Sequence, residues 1–172
     1  MNIPKWLVIA LIVLIIACLI ITSWALFFRT PSNTPLTPDY APVEKEENAE
    51  NIEGDDDTKL EADEGGGAVG LTFSDKITID LSDKKAALYF ANPGKSLQDM
   101  VLQIVIQDEI IVQTGTINPG KQVRQVDLLD GAEKRLAEGI YEGKFVVLYY
   151  DVETGERAMV STDLLVTITV QK

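Results

Sequence analysis

Apolar and polar side chains alternate through most of 71–172, and this period of two is the feature that most constrains the fold. Leu102, Ile104 and Ile106 are separated by single residues, and so are Ile77 and Ile79. Because successive side chains of a β-strand point to opposite faces of the sheet, this alternation predicts strands that bury one face. Seven such runs occur, at 77–81, 88–90, 102–106, 110–117, 123–128, 140–150 and 158–170.

Turn-forming residues separate these runs, as expected for strands joined by short loops. Asn-Pro-Gly-Lys occurs twice, at 92–95 and 118–121, and Pro followed by Gly suits a type II turn. Only 130–138 has the composition of a helical turn. Seven short strands in a segment of this length are typical of immunoglobulin-like domains. The sequence therefore predicts an all-β fold, a seven-stranded antiparallel immunoglobulin-like sandwich over 71–172.

A local motif points to the same fold. Leu136, Gly139 and Tyr141 form an L-x-x-G-x-Y pattern, which resembles the entry to the sixth strand of bacterial immunoglobulin-like and fibronectin-III-like domains. The resemblance implies a tyrosine corner, in which the hydroxyl of Tyr141 bonds to backbone upstream. It covers the domain at the level of the fold and implies no activity.

Before this domain, 6–28 contains no charged side chain over 23 residues. A helix of that length spans roughly 35 Å, enough to cross the ~30 Å hydrocarbon core of a bilayer. Trp6 at one end and Trp24 near the other match the aromatic residues found at membrane interfaces. The sequence therefore predicts one transmembrane helix over 6–28, with the lipid bilayer as its partner.

Two alternatives to an uncleaved anchor remain open at this segment. A cleaved secretory signal has a shorter apolar region followed by small residues, and no convincing cleavage site follows 6–28. The run Ile-Ile-Ala-Cys at 15–18 resembles a bacterial lipobox, which implies lipidation of Cys18. However, 19–28 stays apolar, whereas a mature lipoprotein turns polar soon after its cysteine.

The flanking charges give the predicted orientation. Lys5 and the α-amino group precede the apolar segment, and only Arg29 follows it before Lys45. The positive-inside rule then predicts a cytoplasmic tail over 1–5 and a C-terminal domain outside the cytoplasm. The predicted location is the plasma membrane, with a single pass.

The segment 29–70 has a different composition from either neighbour. Between Asp39 and Glu64 it carries twelve acids and two bases, its apolar residues are isolated, and it ends in three glycines at 65–67. Such a segment is predicted to be a disordered, self-repelling linker. Its acids at 55–57 lack the glycine and glutamate spacing of an EF-hand, so no metal site is predicted.

Composition excludes several classes of function. The chain has no histidine and one cysteine, which rules out Ser-His-Asp and Cys-His catalysis and an intrachain disulfide. It has 27 acids against 15 bases, which argues against nucleic acid as a partner. The acids of 71–172 fall mostly in predicted turns, where they serve solubility. We therefore predict no catalytic residue and no cofactor.

Two groups of residues are candidate contact sites. The predicted first-to-second and fifth-to-sixth loops bring together four bases, Lys84, Lys85, Lys134 and Arg135. Such a cluster suits an anionic partner, which here means another surface protein or an anionic wall polymer. Tyr89 and Tyr150 fall on outward positions of their strands and are candidates for a contact surface.

An anchor, an acidic linker and a cysteine-free sandwich together resemble single-pass surface proteins of Gram-positive bacteria. The favoured hypothesis, because the predicted loops are short, is a membrane-anchored extracytoplasmic binding or scaffold module without catalytic activity, a candidate accessory of a surface or transfer machine. The alternative is an inhibitor or ligand-sensing sandwich that acts on an extracellular enzyme or small molecule. The alternative requires a deep pocket or a protruding loop.

Overall fold

The computed structural model describes Trp6, 14–16, Cys18, 38–62 and 66–172. Contacts divide the chain into two compact units, Met1–Asn33 and Thr34–Lys172. The described residues of the first unit are helical, and among all described residues no helix has both the length and the apolarity needed to cross a membrane. The transmembrane helix predicted over 6–28 and the tail predicted over 1–5 lie outside the described residues, apart from these few positions.

The second unit is all-β, as predicted. One 3₁₀ turn, Ala132–Lys134, lies within the 130–138 segment that the sequence marks as helical. The strands are β1 (Glu50–Asn51), β2 (Thr72–Phe73), β3 (Lys76–Asp80), β4 (Lys85–Asn92), β5 (Gln98–Ile106), β6 (Glu109–Gln113), β7 (Lys121–Asp127), β8 (Gly139–Asp151) and β9 (Arg157–Gln171).

These strands form a single mixed sheet in the order β1-β7-β4-β3-β9-β8-β5-β6, and β2 also pairs with β4. Within this order β3 joins the group β1-β7-β4 to the group β9-β8-β5-β6: it pairs with β4 antiparallel and with β9 parallel, Ile77 opposite Ile168. The prediction of seven strands, all antiparallel, is wrong on both counts. Two strands are added, and β3 lies between β9 and β4, parallel to the first and antiparallel to the second.

The two additional strands have separate origins. The first predicted strand is preceded by β2, and the two are separated at Ser74. The Ser74 hydroxyl accepts from the Lys76 N–H and donates to the Lys76 carbonyl, both at 3.2 Å, which turns the chain between the two strands. The other addition, β1, comes from the acidic segment.

The sheet curls around a main apolar core. Inward residues of β3 to β9 are buried, and Phe145 lies near the middle with its ring edge-on to those of Phe90 and Phe73, at 6.1 and 6.2 Å. Burying a large apolar side chain stabilises a fold by about 1.5–3 kcal/mol. The predicted inward residues Leu102 and Ile168 are both fully buried. The period-two alternation therefore identifies these residues of the main core.

The acidic segment differs from the predicted disordered linker. Residues 38–62, named here the belt, lie against the sheet through backbone bonds from Ala41 N to Gly155 O, Glu46 N to Thr116 O, Ile52 N to Gly120 O and Leu60 N to Lys95 O. Ala49 packs against the core. The belt is ordered because its backbone forms hydrogen bonds with strand ends and loops of the sheet. Amino-acid composition alone does not predict these bonds. Residues 29–37 and 63–65 of the predicted linker lie outside the described part of the chain.

The two Asn-Pro-Gly-Lys sequences form different turns. Around Gly120 the φ angle is 82° and Lys121 N bonds to Asn118 O at 3.2 Å, which is the predicted type II geometry. At the first copy the Asn92 carbonyl already accepts from Gly120 N, so the turn shifts by one residue and closes from Ser96 N to Pro93 O. Tertiary pairing therefore overrides identical local sequence.

Candidate functional site

The four predicted bases lie in the turn before β4, at the start of β4 and in the loop before β8. Lys84 lies in the turn before β4, and its carbonyl accepts from Leu128 N at 2.9 Å. Its Nζ lies 3.2 Å from Glu133 Oε1, in the loop before β8. The two loops therefore meet at one end of the sheet.

Carboxylates are interleaved with these bases. Arg135 pairs with Glu109 at 3.0 Å, and Lys85 is the strand partner of both Asp80 and Asp127. A hydrogen bond from its own backbone N–H, and then Lys84, hold the pKa of Glu133 below its usual range. This end of the sheet is therefore close to charge balance, and its binding of an anionic partner stays a prediction.

The two tyrosines predicted as outward contact residues have contacts within the chain. Tyr89 lies under the Arg124 guanidinium, 5.3 Å from the ring centre. Tyr150 is fully buried outside the main core, in a second cluster with Val101 and Leu148. Its hydroxyl donates to Pro38 O at 3.2 Å, and burial raises the pKa of Tyr150. At Tyr150 the belt therefore occupies the surface that the sequence assigned to a partner.

A cluster of exposed apolar side chains at the β8–β9 hairpin was missed by the sequence reasoning. Tyr40 and Met159 line one surface depression of about 420 Å³, and Met159 and Val160 line another of about 630 Å³. Val152 is exposed in the turn of the same hairpin. The register between β8 and β9 shifts between Leu148 and Tyr150. Because that shift interrupts the alternation, the sequence pattern does not show which of these side chains face outward.

The acids of this hairpin are used by its own turn. Asp151 accepts from the Thr154 N–H at 2.8 Å, the Glu153 N–H at 2.9 Å and the Thr154 hydroxyl at 3.1 Å. In that order these bonds hold the pKa of Asp151 below its usual range. A carboxylate stabilised in its ionised form is a poor proton carrier at neutral pH. Asp151 is therefore a turn-forming residue.

Within the described residues, no group of three His, Cys, Asp or Glu side chains could hold a metal ion. In the acidic run at 55–57, Asp55 accepts from the backbone N–H of Gly94 and Asp56 from that of Thr58. Asp55 therefore fastens the belt to the turn before β5, whereas the bond of Asp56 lies within the belt. Cys18 is described as an exposed helical position, and its lipidation stays a prediction.

No protein-family model matches the chain, and no curated protein matches it. Its function is therefore inferred from the geometry described above. That geometry presents two distinct ends: the charge-balanced end with Lys84 and Lys134, and the hairpin end where the belt crosses β9.

Proposed function

We propose that the chain is a membrane-anchored extracytoplasmic binding or scaffold module without catalytic activity. In this proposal 6–28 holds the protein in the plasma membrane in a single pass, with its N-terminus cytoplasmic. The sheet unit is then displayed outside the cytoplasm. Its partner is another surface protein or an anionic wall polymer.

We include in this proposal that the all-β unit is an immunoglobulin-like sandwich. Three features support it: β4 pairs with β7, β8 lies between β5 and β9, and the first core strand runs parallel to the last. The Tyr141 hydroxyl donates to Ala137 O at 2.9 Å, which is the bond of a tyrosine corner. The sequence motif and the strand pairing thus support this part of the proposal.

The main support for this function is the location of the apolar side chains and of the surface depressions. The interior of the curled sheet is filled by the core, whereas the depressions are lined by surface residues of the belt, its glycine-rich continuation and the hairpin. A ligand-binding enzyme site is concave and mostly apolar, with a few converging polar groups. Binding through an outer surface fits this arrangement better than enclosure of a small molecule.

The loop between β7 and β8 supports the same choice against an inhibitor. In 128–138, Leu129 N bonds to Ile111 O at 2.9 Å and Ala132 is fully buried. The Tyr141 hydroxyl holds the end of the loop at Ala137. An inhibitory loop has to project into the cleft of an enzyme, whereas this loop is folded back onto the sheet.

The first test concerns topology. Protease added to intact protoplasts should digest the sheet unit and leave an N-terminal stub in the membrane. Full protection of the sheet unit in intact protoplasts, with digestion only after lysis, would overturn the proposed orientation. Palmitate labelling that is lost in Cys18→Ser, together with loss of residues 1–17, would establish the lipoprotein alternative.

The second test concerns the partner. A photo-crosslinking residue at Lys134 should capture a surface protein or wall polymer in living cells. The same residue placed at Lys76, on an exposed position of β3, is the matched control. Equal capture at both positions would contradict a specific contact at the charge-balanced end.

A further inference from the structure

The hairpin end carries an apolar rim, defined as Tyr40, Val152, Met159 and Val160. These side chains are 60, 51, 103 and 64% exposed. Tyr40 comes from the belt, and the other three come from β8–β9 and the turn between them. Met159 lines one depression with Tyr40 and another with Val160, and exposed apolar side chains that adjoin one another mark interaction surfaces.

The rim is held in place by backbone pairing. The belt pairs with the hairpin through Ala41 N to Gly155 O at 2.8 Å and Arg157 N to Asp39 O at 2.9 Å. Across the hairpin, Asp151 N bonds to Glu156 O at 2.9 Å. The apolar side chains are therefore presented by a fixed scaffold, which reduces the entropy lost when they bind.

The position of the rim in the chain indicates its partner. Tyr40 follows Pro38, the start of the belt, and only nine residues, 29–37, separate the belt from the apolar segment 6–28. Nine extended residues reach at most about 30 Å. A bilayer that holds 6–28 is therefore within reach of the rim, at a high effective concentration.

We propose that the apolar rim lies on the lipid surface of the membrane that anchors the chain, with Tyr40 at the headgroup level. This inference rests on the proposed membrane anchor. Tyrosine is favoured at membrane interfaces because its ring is apolar and its hydroxyl is polar. Met159, Val160 and Val152 supply the apolar surface that enters the headgroup region.

The charges around the rim select the type of lipid. Asp39, Glu153 and Glu156 lie beside it, with Arg157 as the opposing base. Anionic headgroups repel such a surface, and salt screens the repulsion. The rim therefore prefers zwitterionic headgroups, and added anionic lipid weakens its contact at low salt.

The test uses the full chain in phosphocholine vesicles that contain lipid with a nitroxide quencher near the headgroup. In a Cys18→Ser background, a fluorophore is attached to Val152→Cys in the rim or to Leu165→Cys. Leu165 is the matched control, because it is 86% exposed on the same strand as Met159. We expect loss of fluorescence at 152 and none at 165.

Two further variants separate this inference from the anchor. A label at Leu14→Cys reports whether 6–28 enters the bilayer, and quenching there supports the anchor. Quenching at 14 without quenching at 152 overturns the rim while leaving the anchor in place. No quenching at 14 overturns both.

The contact is then removed by Met159→Ser with Val160→Ser, which should abolish quenching at 152, while Leu165→Ser should preserve it. Persistent quenching at 152 in the double variant would show that the tether alone brings the hairpin to the membrane, and would overturn the rim. Equal quenching at 152 and 165 would do the same, because it indicates no preferred face.

Discussion

At the scale of single residues, Tyr141 is the position where a sequence motif and a contact coincide. Its hydroxyl donates to Ala137 O, so Tyr141→Phe removes one hydrogen bond and leaves the ring. We expect the free energy of unfolding to fall by about 1 kcal/mol. The control is Tyr89→Phe, which keeps an aromatic ring under Arg124 and should change the denaturant midpoint little. Equal effects of the two substitutions would contradict the corner.

Asp99 gives a prediction about pH. Burial raises its pKa, and the Asn118 amide, at 2.8 Å, and Lys45 oppose that shift only in part. Because the pKa of Asp99 is higher in the folded state than in the unfolded state, the contribution of this residue to stability is fully present below the unfolded pKa. That stability is lost as the pH rises through the folded value. Asp99→Asn should therefore stabilise the protein at neutral pH, and the gain should shrink as the pH falls towards about 4.

Urea unfolding at the two pH values measures this difference, and Asp163→Asn is the control. Asp163 is exposed on β9 and pairs with Lys144, so its loss should be slightly destabilising at neutral pH. A destabilising effect of Asp99→Asn at neutral pH would show that its ionised form is favoured by the fold. In that case the positive charge of Lys45 on the belt would outweigh the effect of burial on Asp99.

At the scale of elements, β9 tests the strand register. Ile168 is fully buried opposite Tyr141 on β8 and Ile77 on β3, so Ile168→Ala should cost roughly 2–5 kcal/mol of unfolding free energy. Thr169→Ala, one residue along on the outward face, should cost far less. Similar losses in the two variants would be inconsistent with the alternation of this strand.

The belt is the second element with a direct test. The amides of Ala41, Ile52 and Leu60 donate to backbone carbonyls and should exchange slowly with solvent. The amides of Val43 and Glu53 in the same segment are the internal comparison, and they should exchange faster. Hydrogen exchange at the intrinsic rate throughout 38–62 would restore the disordered linker predicted from composition.

These elements show what the sequence predicts and what it leaves out. Alternation predicts the strands from β4 to β9, and a local motif predicts the hydroxyl bond of Tyr141. Both signals lie in residues that are close together in the sequence. The parallel pairing of β3 with β9 and the docking of the belt depend on groups far apart in the chain. The apolar rim is hidden for the same reason, because Tyr40 and Met159 meet only through tertiary pairing.

At the scale of the whole molecule, the strands place two surfaces at opposite ends. Along β4 the chain runs from Lys85 at the charge-balanced end to Asn92, beside the turn that the belt contacts. Along β8 it runs from the loop that holds Lys134 to the hairpin that carries the apolar rim. If the rim contacts the membrane, the bases at the other end point towards the cell exterior, where an anionic partner can reach them.

That arrangement gives the last prediction, which uses the two bases outside the ion pairs of the cluster. Lys84 and Arg135 pair with Glu133 and Glu109, so reversing them would also disturb those carboxylates. Lys85→Glu with Lys134→Glu leaves both ion pairs in place. This variant should lose binding to isolated cell walls at low salt, where exposed charges act over the longest distance.

The control is Lys76→Glu with Lys172→Glu, which changes the net charge by the same amount at other positions. If net charge alone governed adhesion, both variants would lose binding equally. If the charge-balanced end is the contact, only Lys85→Glu with Lys134→Glu loses binding. Added salt then removes the difference between parent and variant, because it screens the attraction between the bases and the polymer. Absence of binding by the parent at low salt would rule out an anionic wall polymer and leave a surface protein as the partner to be identified by crosslinking at Lys134.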